Sequence, residues 1–288
     1  MHRRLIVNTD GFGFSDGSNR GILECLPAGV IRSVSVNANF RAVDDLGRLV
    51  TEFPHVSVGI HFNLTVGPCV ANSREIPALV DDRGEFLGPA FGRRVLAGRI
   101  PHQQMVRELT AQAERLAGHR VRATHWDGHQ NQHLYPPFFR AAIEVAQRFG
   151  IERMRSNAHY LFTVRGARRL RVASHLATHP TRAARYALAR WLMRRAQGRG
   201  LRMADRLITP AVLDGTHKRQ RQFWLELFRR LPEGTSEVYC HPGYADDTLF
   251  RYATYVRERE DELDVLRDPS LADEARRRGV ELVNFSVI

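Results

Sequence analysis

"LIVNTDGFGFSDG", residues 5–17, decides how the rest of the chain is read. Leu5, Ile6 and Val7 mark a buried strand that runs straight into Asn8, Thr9 and Asp10. Gly11 and Gly13 then turn the chain. A buried strand that ends on a carboxylate aims it at something, and the same arrangement recurs downstream. Short β-rich runs at 30–37, 56–62, 121–127, 151–155, 236–241 and 280–286 alternate with helical patterns. Those patterns cover 17–25, 44–53, 104–117, 137–149, 181–197, 220–231, 255–266 and 270–278. Such alternation predicts an α/β fold with a parallel sheet. Asp10, Asn37, His61, Asp127 with His129, Arg155, His241 and Ser286 fall at or just beyond the C-terminal ends of the predicted strands. An open sheet concentrates function at one switch point, whereas a barrel brings all such ends to one rim. The expectation is therefore a distorted, incomplete (β/α) TIM-like barrel. With no linker and no internal repeat, one domain is expected over residues 1–288.

The bulk numbers exclude several classes. The 288 residues are 43% hydrophobic and 26% charged, as in a globular chain. No apolar run approaches the roughly 20 residues of a membrane span, and the first residues carry no signal-peptide core. A cytoplasmic protein is expected. Cys25, Cys69 and Cys240 are few, odd in number and far apart. That pattern fits reduced thiols and argues against a cysteine zinc site. The net charge is +12, and Lys218 is the single lysine. No basic-plus-aromatic motif accompanies the charge, so it reads as solvated arginine rather than a nucleic-acid surface.

Three stretches carry chemistry. "VGIHFNLT" places His61 at a strand end, where a hydrogen-bonded core histidine is the plain alternative. "THWDGHQNQHLYP" holds His125, Asp127, His129 and His133 within nine residues. Several imidazoles and a carboxylate this close suit a divalent metal, with missing ligands supplied by other strands and His61 the natural one. "EVYCHPGYADD" fixes His241 on a rigid corner before Pro242 and Gly243, a place suited to proton transfer. Together these residues suit metal-assisted hydrolysis, with Asp10 as base and His241 as acid. The motifs do not separate an amide from an ester or a phosphoester. A fourth stretch, residues 181–200, mixes six arginines, among them Arg182, Arg185, Arg190, Arg194 and Arg195, with Tyr186, Leu188, Trp191, Leu192 and Met193. It reads as an amphipathic helix against the barrel, with peripheral membrane contact as the sharper alternative.

Read in order, "LIVNTDGFGFS", "GIHFNLT", "THWDGHQNQHLYP", "CHPGY" and the tail from "RERE" onward resemble the YdjC-like carbohydrate deacetylases almost end to end. That family includes the chitooligosaccharide and hopanoid-associated deacetylases. The resemblance implies a distorted α/β barrel that removes an N-acetyl group from an amino sugar, free or lipid-linked, and that pairs as a homodimer. It implies a divalent ion, zinc, magnesium or similar, on His61, His129 and Asp10. Asp10 falls on the family's catalytic aspartate and His241 on its acid. Arg155, Asn63 and Asp127 are expected around the substrate. Two positions depart from the pattern: Gly11 stands where the family has a metal-ligand aspartate, and Asn131 where it has a histidine. Three outcomes follow. Asp10 ligates with water filling the gap, Asp16 or Asp127 substitutes, or the chain is an inert sugar-binding protein on the same fold.

Overall fold

The computed structural model describes residues 2–164, 177–210 and 217–288. Its centre is one parallel sheet of eight strands. They are β1 (Arg3–Phe12), β2 (Ser33–Val36), β3 (Ser57–Phe62), β4 (Trp126–Gly128), β5 (His159–Phe162), β6 (Arg206–Pro210), β7 (Gly234–Cys240) and β8 (Val280–Val283). They lie in the order β4-β3-β2-β1-β7-β6-β5, and β8 joins the start of β1, pairing Arg3–Ile6 with Val280–Val283. The sheet curls into an incomplete barrel. From β4 the return is made by single bridges, Trp126 to Met154 and Arg153 to Arg202. The strand expected at 151–155 exists only as this bridging segment. Its last residue, Arg155, donates its N–H to the carbonyl of Trp126 and so stands on the inner wall.

Period-two alternation sorts the strands into two faces. Leu5, Val7, Val34, Val36, Val58, Ile60 and Phe62 belong to the large apolar core shared with the surrounding helices. The helices α1 (Asp16–Cys25), α2 (Leu46–Glu52), α4 (His102–Gly118) and α5 (Pro136–Arg148) supply Ile22, Leu46, Leu49, Leu109, Ala113 and Phe138 to it. Asn8 and Asp10, Ser33 and Ser35, Ser57 and His61, and His125 and Asp127 alternate with those apolar positions and line the interior, all of them buried. This barrel is dry outside its wall and polar within. Gly59 is part of that construction. A Cβ there would lie 2.4 Å from the His125 ring, so only glycine leaves room for the imidazole.

The stretch expected as a loop from Thr65 to Pro101 contains a short helix, α3 (Ala90–Leu96). Buried Glu108 anchors its start by accepting the N–H groups of Val70 and Ala71. The arginine-rich helix α6 (Pro180–Gln197) buries Ala189, Leu192, Met193 and Ala196 and leaves Leu188 and Trp191 exposed. No helix among the described residues is long and apolar enough to cross a membrane. The remaining helices are α7 (Arg221–Arg230), α8 (Asp247–Tyr252), α9 (Glu258–Leu266) and α10 (Ser270–Arg277).

Candidate active site

The C-terminal ends of the strands open on a cavity of about 340 Å³. Asp10, Gly11, His61, His129, Arg155 and His241 all line it, as do Asn37 and Asn131. The barrel reading thus brings together residues that lie up to 231 positions apart in sequence.

Asp10 is placed by β1 and re-aimed by the residue after it. Asp10 pairs with Ser35 and Phe12 with Val36, so Gly11 is an extra residue in the ladder, a bulge. Its φ of 113° is in the region that L side chains avoid, which is the local reason for glycine. The Asp10 carboxylate is held from three directions. Arg155 grips both oxygens, at 2.8 and 2.5 Å, and Asn8 Nδ2 donates at 2.8 Å. Burial alone raises a carboxyl pKa, but the charge and hydrogen bonds of Arg155, then His61 and His241, carry Asp10 far below its usual value.

Arg155 organises the site. Besides Asp10 it meets Asp127 Oδ2 at 2.6 Å and Glu237 Oε1 at 2.7 Å, and all four side chains are buried. Burial works against its charge, and the Asp10, Asp127 and Glu237 carboxylates outweigh it. Glu237 is the least settled of the three acids, since burial raises its pKa to about 7. Asp127 also accepts Ser35 Oγ at 3.0 Å and sits 2.7 Å from His61 Nδ1. That contact fixes the imidazole as the Nδ1–H tautomer and directs Nε2 to the cavity. Burial depresses His61, but Asp127 and Asp10 more than restore it.

His129 differs. Its Nε2 is buried and has no hydrogen-bond partner among the described residues. Burial, then the charges of His61 and Arg259, lowers its pKa to about 3, so it is a neutral lone-pair donor. His61 and His129 meet edge to face with ring centroids 5.5 Å apart. His241, half-buried at the mouth, has Nε2 3.9 Å from Asp10 Oδ2. Burial and the neighbouring Arg259 and Lys218 keep it neutral.

The donor set fits a divalent cation. Ligand atoms of Asp10, His61 and Asp127 lie within 4.8 Å of one another, and the orphaned His129 Nε2 is a further imidazole donor at the same cavity. Asp127 does not line the cavity and holds His61 Nδ1, so it supports His61 from behind. Of the other expected residues, Asn63 and Asp127 do not line the cavity. Asn63 is buried at the root of the long loop, where it accepts from Thr65 and Val66 and donates to Asn39. Arg155 reaches the cavity as part of the ionic cluster. His125 and His133 are buried off it, His125 stacked on Phe285 at 3.7 Å. Asp16 does not line it either.

Sequence reading passed over Glu237, Tyr239, Lys218, Tyr255, Arg259 and Glu262, which buttress or line the same space. Glu237 and Tyr239 were within reach, because they precede His241 by four and two residues on one face of β7. Tyr239 lies under both Lys218 Nζ, at 4.1 Å, and Arg155, at 4.7 Å.

Comparison with known proteins places this geometry. Residues 4–277 match a family model described as YdjC-like protein. A carbohydrate deacetylase of Geobacillus stearothermophilus is 33% identical over 99% of this chain and 98% of its own length. A chitooligosaccharide deacetylase of Escherichia fergusonii is 29% identical, with 99% of each chain covered. Among solved structures, a protein of Enterococcus faecalis V583 is 20% identical and superposes with a TM-score of 0.77 over 100% of this chain and 99% of that one, a likeness of fold.

Proposed function

The chain belongs to the YdjC-like family, and from that premise we propose that it hydrolyses the N-acetyl group of an amino sugar at the cavity of Asp10 and His241. One observation carries the reading: Asp10, His61, His129 and His241 come from four separate segments and converge on one cavity at the C-terminal rim. The relatives are named for the same chemistry on carbohydrates.

The residues divide the work as follows. His61, His129 and Asp10 would hold a divalent ion, which when bound supplies Lewis acidity and makes a water easier to deprotonate. Asp10 accepts a hydrogen bond from the attacking water and takes its proton. Held ionised by Arg155, Asp10 is a weak base by itself, so it passes that proton on. His241 Nε2, 3.9 Å from Asp10 Oδ2, is the neighbour able to receive it. The resulting imidazolium protonates the leaving nitrogen as the amide C–N bond breaks. Arg155 does not touch the substrate in this scheme. It fixes Asp10 and, through Asp127, the tautomer of His61.

The test is acetate release from N-acetylated oligosaccharides. Wild-type protein supplied with zinc, nickel or magnesium releases acetate, and Asp10→Asn loses the activity with its fold intact. Equal acetate release by wild type and Asp10→Asn would remove Asp10 from the mechanism. Release by neither would remove the reaction.

A further inference from the structure

The cavity has a second buried arginine, and among the described residues no carboxylate pairs with it. Arg259 on α9 is 5% exposed. Its Nε donates to the Tyr255 carbonyl at 2.8 Å, the ordinary i to i−4 position. Its Nη1 is buried and has no partner among the described residues. No carboxylate there lies within ion-pair distance of its guanidinium, although Glu262 is one turn away on the same helix. Glu262 is committed elsewhere, accepting the His241 N–H at 2.6 Å and the Tyr255 hydroxyl at 2.8 Å. A buried cation left without a partner is costly, and a fold retains such a group where a ligand completes it.

The place of Nη1 gives the ligand's position. It lies 3.2 Å from where a Cβ on Gly11 would stand, on the cavity wall beside Asp10. Phe14, Ala253 and Tyr255 provide an apolar surface in the same cavity. A cationic N–H donor beside an apolar wall matches a small carboxylate with a methyl group.

Building on the deacetylation reading, we propose that Arg259 Nη1 is the donor that receives the acetyl oxygen: first the oxyanion of the tetrahedral intermediate, then the carboxylate of the acetate product. Water oxygen adds to the carbonyl carbon, and the carbon–oxygen π pair moves onto the oxygen facing Arg259. As that pair returns, the C–N bond breaks, and its electrons go to the nitrogen, which takes the proton from His241. The acid so formed gives up the second proton of the water, which passes through Asp10 to the freed amine, and acetate is left on Arg259. The glycine at position 11 is part of the same device. An aspartate there would bring its own carboxylate to the guanidinium and occupy the site from within.

Acetate binding tests this without turnover. Isotope-labelled acetate is titrated against the protein as purified, and the saturable change in its NMR linewidth is followed. Wild type binds, Arg259→Lys binds more weakly, and Arg259→Met loses about tenfold or more in affinity, the scale of one charge-assisted hydrogen bond. Gly11→Asp loses binding as well, although it keeps Arg259. Unchanged binding in either folded Arg259→Met or folded Gly11→Asp overturns the proposal. The reaction is read separately as acetate release. Binding through Arg259 with no release defeats the reaction alone, and release with Arg259-independent binding defeats the anion site alone.

Discussion

Two buried arginines face one cavity, and they are treated oppositely. Arg155 meets three carboxylates, Asp10, Asp127 and Glu237, at 2.5–2.7 Å. Among the described residues Arg259 meets none, and its Nη1 has no partner. An arginine whose forks are filled by the protein is a structural clamp: it sets where the acids point and keeps Asp10 and Asp127 ionised. An arginine with an open fork is available to something that arrives. The contrast separates holding the site from using it.

The largest effect falls on the clamp. Arg155→Met strands three carboxyl groups in the interior, and loss of one partner from a buried ionic cluster costs about 3–5 kcal/mol. Urea denaturation is expected to show that drop or a protein that no longer folds, and near-normal stability would mean the cluster is not the keystone. Next comes Asp10→Asn. It leaves Arg155 paired with Asp127 and Glu237 and removes the proton acceptor, so acetate release falls roughly 10²–10⁴-fold while the urea midpoint falls by less than in Arg155→Met.

Buried histidines give the third expectation. His125 and His133 are held neutral by burial, with pKa values lowered to about 3 and about 4. Unfolded histidine takes a proton near 6.5, so between that value and about 4 the unfolded chain binds more protons. Stability therefore rises with pH across this window and is lost as pH falls through it. Urea midpoints at pH 7 and pH 5 measure the slope, and His133→Gln should flatten it. Gly11→Asp is smaller. A side chain at φ 113° costs about 1–3 kcal/mol, offset in part by the new contact with Arg259. Arg259→Met is the mildest for stability. An unpaired buried charge disappears, and the midpoint stays level or rises, which a thermal melt reports. A large fall would place Arg259 with Arg155 as a clamp.

How much of this was readable beforehand follows the same physics. Leu5–Asp10, the run ending at His61 and the run ending at His241 were legible because apolar residues lead into a polar rim residue. The strands at 159–162 and 206–210 were not. "HYLF" is a half-exposed sheet end, and "RLITP" carries an arginine at one end and a proline at the other. The expected strand at 121–127 is regular only over Trp126–Gly128, because Thr124 and His125 join β3 through isolated backbone bonds. Convergence of Asp10, His61, His129 and His241 was legible once the barrel was assumed. The assignment of Asn63 to the substrate and the hidden place of Asp127 depended on side-chain partners no pattern encodes. Arg259 left a faint signal. Arg259, Glu262, Leu263 and Leu266 share the i, i+3, i+4, i+7 stripe that faces inward on α9, so two charged residues sit where apolar ones belong.

The most direct measurement is mass spectrometry of an N-acetylated chitooligosaccharide after incubation with the protein and a divalent metal. The account predicts a product lighter by one acetyl group, carrying a free amine on an unbroken sugar chain. An unchanged saccharide, or one cut at a glycosidic bond with its acetyl groups intact, would contradict it.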